Sequence, residues 1–150
     1  MGVLRDAVSC TVTEERNGAF ELEMVYPITG QHYSSLALRG LILAKPNPYG
    51  EAQYFRIYKI SRPINGQVTV NAQHISYDLS GIPVGPCKAL NAVDALQQLK
   101  SHAAVSCDYQ FWTDIQTVAD FAVAVPGSLR TLLGGVEGSV LDVYGGEYEW

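Results

Sequence analysis

Three cysteines and three histidines are the residues in this chain with the most reactive side chains. A thiol nucleophile needs a base within hydrogen-bond reach, and Cys10, Cys87 and Cys107 with His32, His74 and His102 supply the parts. None of them lies in a strained strand-to-helix elbow of the G-x-S-x-G type. The odd number and wide spacing of the cysteines suit free, buried or half-buried thiols in a reducing compartment. They suit neither a disulfide framework nor a paired CxxC zinc knuckle. His74 with Asp78 is the one close His–carboxylate pair, and two ligands do not hold a zinc ion. A side-chain-to-backbone bond at Ser76 or Asp78 that organises a turn is the simpler reading, and the three histidines read as surface or capping residues. Glu14-Glu15 and Glu21/Glu23 could pair for acid–base work on a sugar, but Glu21 and Glu23 fall on the wet side of an alternating strand. The doublets Gly134-Gly135 and Gly145-Gly146 occur without a GxGxxG or GxxxxGK frame, so they read as turns and helix ends. No catalytic, cofactor-binding or metal-binding set emerges from the spacing.

The elements that would position these residues begin with the clearest alternation in the chain. Phe20, Leu22, Met24 and Tyr26 interleave with Glu21 and Glu23 in the period of a strand with one wet face. With Ser9 to Thr13 before it and Asn17-Gly18 between, residues 9 to 26 predict a hairpin closed by a type I′ turn. Leu38 to Ala44, Tyr54 to Ser61 and Gln67 to Ala72 predict further strands, divided by Pro46-Asn47-Pro48-Tyr49-Gly50 and by Pro63-Ile64-Asn65-Gly66. Strands at this spacing suggest a small barrel or sandwich.

Near Ser76 the period changes. Asn91 can cap a helix over 92 to 103, with Val93, Leu96, Leu99 and Ala103 repeating every three or four residues and Asp94 in the first turn. Tyr109 to Phe111 and Thr117 to Val123 predict strands. Ser128 caps a short Leu129 to Leu133 helix that Gly134 ends. Tyr144, Glu147, Tyr148, Glu149 and Trp150 look like the start of a strand, which implies truncation at that end. The fold class expected is a β-rich α+β chain, with barrel-like or sandwich strands over residues 1–86 and a smaller mixed portion over 87–150.

Composition narrows the function classes. A net charge of −5 with pI near 5.0, and no cluster of Lys and Arg, argue against direct nucleic-acid binding. No apolar run approaches the ~20 residues that span a bilayer, and Met1 to Cys10 lacks the basic-then-apolar order of a signal peptide, so a soluble segment is expected. With 47% hydrophobic residues the chain has enough apolar content for a packed core.

Four strings resemble successive signatures of the prophage tail endopeptidase, or phage minor structural protein, family: VTEERNGAFELEMVYP at 12–27, QYFRIYKI at 53–60, NAQHISYDLSG at 71–81 and SLRTLLGGVEGSVLDVYGGEYEW at 128–150. The resemblance implies the N-terminal hub region of a tail-associated lysin-like protein, in which three copies form a ring of β-barrels. Such a hub closes the tail tube beneath the distal tail protein and meets the tape measure protein inside. The implied location is the virion tail tip, after synthesis in the bacterial host cytoplasm. Family members carry receptor-binding or wall-degrading domains farther along, and further residues are expected upstream of the Cys10 strand. The matching positions Glu14, Asn17, Gly18, His74, Tyr77, Asp78, Gly134, Gly135, Asp142 and Gly146 read as turn and packing residues, and no catalytic motif or cofactor comes with them. Two other functions stand beside assembly: a tail-associated endopeptidase or cell-wall hydrolase used in host entry, and a receptor- or glycan-binding module using exposed tyrosines.

Overall fold

The computed structural model describes residues 2–150. The protein is a β-rich α+β chain that divides into two compact units, one ending at Ile75 and the other running from Ser76 to Trp150. Residues 76–86, which the sequence reading grouped with the first portion, fall in the second unit.

The first unit is one antiparallel sheet of five strands: β1 (Ser9–Glu14), β2 (Phe20–Pro27), β3 (Leu41–Ala44), β4 (Gln53–Ile60) and β5 (Gln67–His74). Its order is β1-β2-β5-β4-β3, and it curls into an open half barrel. Register follows from the alternation. Leu22 pairs with Ala72, Met24 with Val70 and Tyr26 with Val68, so these side chains share one face, and all are buried. Phe55 and Ile57 of β4 continue that face. Tyr58 follows on the outer face, and a bulge between Ile57 and Lys59 then shifts the register so that Lys59 pairs with Asn71.

The turn chemistry differs from expectation at one Asn-Gly and agrees at the other. Asn65 and Gly66 both have positive φ (52° and 75°), and Ile64 and Gln67 exchange backbone hydrogen bonds of 2.8 and 3.0 Å, which is the I′ arrangement. At Asn17-Gly18 only Asn17 is left-handed (φ 53°), while the Gly18 N–H donates to the Glu15 carbonyl and the Glu15 N–H to Ala19. Two left-handed residues are what type I′ requires, so this loop is a wider turn. The strand expected from Leu38 begins only at Leu41, because Arg39 takes φ 68° and Gly40 closes a turn on Ala37.

The second unit packs α1 (Ala92–Ser101), α2 (Leu129–Leu133) and α3 (Val140–Tyr144) with two short ladders. In these, β6 (Pro83–Val84) pairs with β9 (Gly127–Ser128), and β7 (Cys87–Asn91) pairs with β8 (Val118–Val123). Asn91 caps α1 by accepting from the Asp94 N–H at 2.9 Å. The face of α1 that packs inward is Ala92, Ala95, Leu96 and Leu99, against Phe121, Leu129 and Leu133 among others. Val93, placed on that face from its spacing, is exposed instead, and the helix stops at Ser101 before Ala103. Ser128 caps α2 by accepting from the Thr131 N–H.

Two expected strands are absent among the described residues. Residues 109–111 carry no strand pairing. Tyr144 ends a helix, not a strand: the Asp142 carboxylate accepts from the Gly138 N–H at 2.8 Å at its start, and Gly145 and Gly146, at φ 77° and 98°, stop it. Tyr148 and Trp150 then pack against the core of this unit as partly buried side chains.

Candidate functional site

The thiols are not set up as nucleophiles. Cys10 lies on the exposed strand β1, and Cys87 and Cys107 are buried in the second unit. Desolvation pushes the Cys10 pKa up, and at Cys87 desolvation and then the negative charge of Asp94 do the same. Both shifts disfavour the thiolate that a nucleophile or metal ligand needs. Among the described residues none of the thiols hydrogen-bonds a histidine, and no group of three or more His, Cys, Asp or Glu could hold a metal ion.

His74 corrects the expectation of a surface histidine. It ends β5 on the buried face, 2% exposed, stacked on Phe20 with centroids 4.5 Å apart and edge-on to Phe55 at 5.7 Å. Its Nε2 is 3.3 Å from Gln53 Oε1. An imidazole held between two aromatic rings is a core side chain with a polar handle, and Asp78, in the 3₁₀ turn Ile75–Gly81, belongs to the other unit. The alternation Val68, Val70, Ala72, His74 was the signal for this burial.

The remaining signature positions divide between the two units. Glu14 is exposed at the end of β1, and Asn17 and Gly18 form the turn already described. In the second unit Tyr77 lies beneath Arg130 of α2, whose Cζ is 3.9 Å from the ring centroid and whose Nη1 donates to Ser76 Oγ at 2.9 Å. This stacked, hydrogen-bonded cation ties the 3₁₀ turn to the helix. Around the same helix, Gly134 leaves room for Tyr148, Gly135 adopts φ 97°, and a Cβ on Gly146 would come within 2.7 Å of Ile115 Cδ1. Asp142 holds the start of α3. Arg130 and Tyr148, which the sequence reading did not single out, organise this region.

What the first unit does present is surface. Strand β1 pairs only with β2, and β3 only with β4, so each leaves one side of its backbone without a strand partner among the described residues. On the outer face of β3, Leu41 and Leu43 are 51% and 50% exposed. Leu43 lies opposite Tyr54 of β4, itself partly exposed. Exposed leucines along an unpaired edge are what soluble sheets usually avoid by charge or cover.

No family model, no curated protein and no solved structure matches this chain in comparisons with all three.

Proposed function

We propose that the chain is a structural component of a phage or prophage tail tip, the hub region of a tail-associated protein, and that it works by assembly with other copies and with the distal tail and tape measure proteins. The observation that carries this reading is the β3 edge: a strand paired on one side only among the described residues, whose outer face exposes Leu41 and Leu43 beside Tyr54. Such an edge gains both main-chain hydrogen bonds and apolar burial when another chain covers it. The four family-like strings supply the kind of assembly, and the signature residues support it in the roles they take, as turns, caps and packing contacts.

The test is co-expression with the distal tail and tape measure proteins that this reading expects to be encoded beside this reading frame. The wild-type chain is expected to co-purify with at least one of them, and Leu41→Asp with Leu43→Asp to lose that association while circular dichroism stays unchanged. Failure of the wild-type chain to associate with either protein overturns the reading. So does thiol-dependent cleavage of cell-wall peptides that disappears when Cys10, Cys87 and Cys107 are replaced together.

A further inference from the structure

Beside α1, within the second unit, runs a groove of about 320 Å³ with the helix side chains Val93, Leu96, Gln97 and Lys100 on one wall and residues 110–113 on the other. Its volume falls at the low end of small-ligand sites, which run from ~300 to ~1,000 Å³. Two features separate it from an incidental crease. Trp112 is 78% exposed, an unusual state for the side chain with the largest apolar surface. Apart from Lys100 the polar part of the lining is neutral: Gln97 and Gln110 offer primary amides, and Thr113 a hydroxyl. The one ionic lining residue, Lys100, already donates from Nζ to the Tyr109 carbonyl at 2.8 Å.

We infer that this groove binds a short neutral saccharide, with a sugar ring lying on the Trp112 indole and its hydroxyls exchanging hydrogen bonds with Gln97 and Gln110. A pyranose presents one face of C–H groups and a rim of groups that both donate and accept. The lining matches it in kind: an exposed indole for the face, and amides that can donate and accept at once for the rim. An anionic ligand would meet a single ammonium, Lys100, one of whose three N–H groups is taken by the Tyr109 carbonyl, and a cationic one would meet no carboxylate. A purely apolar ligand would leave two amides desolvated without partners.

The inference does not depend on the tail-tip reading and is tested separately from it. Trp112 and Trp150 are the two tryptophans, so Trp150→Phe leaves Trp112 as the sole indole reporter. A glycan array of neutral, anionic and cationic saccharides, with a proline-rich peptide as the competing ligand class, is followed by fluorescence titration of any hit. The expected result is a saturable blue shift of Trp112 emission with a neutral oligosaccharide, lost in Trp112→Ala and about tenfold weaker in Gln97→Ala. Because Trp112 and Gln97 are exposed, both variants should melt with the parent, so loss of binding is not loss of fold. Absence of any neutral hit, binding only of charged saccharides or of the proline-rich peptide, or binding undiminished in Trp112→Ala overturns the inference.

Discussion

Gly134 and Tyr148 occupy one space between them: a Cβ built on Gly134 would fall onto the Tyr148 hydroxyl and within 2.7 Å of Leu141 Cδ1. The backbone at Gly134 is extended (φ −174°), so the requirement for glycine comes from this close approach and not from its conformation. Gly134→Ala is therefore expected to cost roughly 2–4 kcal/mol, because the packed tyrosine must move out of a core contact. Gly135→Ala meets open space at φ 97° and costs only backbone strain, about 1–2 kcal/mol. A double-mutant cycle decides the cause, since Tyr148→Phe removes the atom in the way. Equal costs of Gly134→Ala in the parent and in the Tyr148→Phe variant would rule the hydroxyl out.

Arg130→Lys tests the clasp on Tyr77. Lysine keeps the charge but loses the flat guanidinium that stacks on the ring while its Nη1 reaches Ser76 Oγ. A loss of about 1 kcal/mol is expected by chemical denaturation. Tyr77→Leu should lower the cost of Arg130→Lys. If the two losses simply add, the stack contributes nothing measurable.

Local signals made much of this fold readable. The alternation of β2 and β5 and the caps Asn91 and Ser128 each act within a few residues, and the four elements they predict, β2, β5, α1 and α2, are present. The errors have physical reasons of the same kind. Tyr144 to Trp150 mimics a strand because aromatic and acidic residues alternate by type, whereas the Asp142 carboxylate, accepting from the Gly138 N–H, starts a helix that runs through Tyr144, and the left-handed Gly145 and Gly146 then break extended backbone. His74 reads by residue type as a surface or capping residue, although it continues a buried alternation, and its packing role agrees with the signature reading. The exposure of Trp112 and the gap that Gly134 leaves for Tyr148 depend on contacts between separated segments, so no pattern within a window of residues could announce them. The same holds for the open β3 edge, which follows from the order of strands in the sheet.

The face of α1 is tested by four substitutions. Leu99 is fully buried and Leu96 nearly so, so Leu99→Ala should cost about 2–5 kcal/mol and Leu96→Asp about 3 kcal/mol or more. Val93→Ala should change stability by no more than about 0.5 kcal/mol, since Val93 is exposed. Gln98→Asp loses the hydrogen bond from Gln98 Nε2 to Asp94 Oδ1 and puts like charges one turn apart, a cost of about 0.5–1 kcal/mol. Urea midpoints that rank Val93→Ala with Leu99→Ala would show the helix rotated from the face described.

Alkaline pH should unlock the second unit through Tyr148. Desolvation pushes its pKa up to about 12, the nearby Arg130 charge only partly opposing it, against about 10 for an unfolded tyrosine. A folded-state pKa above the unfolded one means that the neutral phenol is favoured by folding. Its contribution to stability is therefore complete below about pH 10, declines as the unfolded chain ionises first, and is gone above about pH 12. Tyr144 adds a loss of the same sign, since burial and then the charges of Asp94 and Asp120 raise its pKa too. Tyr148→Phe removes the first ionisation and leaves the second. The variant should lose less stability than the parent between about pH 10 and 12, while the two curves run parallel from about pH 7 to 9. Denaturant midpoints across that range, with near-ultraviolet absorbance to count ionised tyrosines, make the comparison. Parallel curves above about pH 10 would show that Tyr148 ionises as easily folded as unfolded, and that its hydroxyl is not held in the close packing beside Gly134.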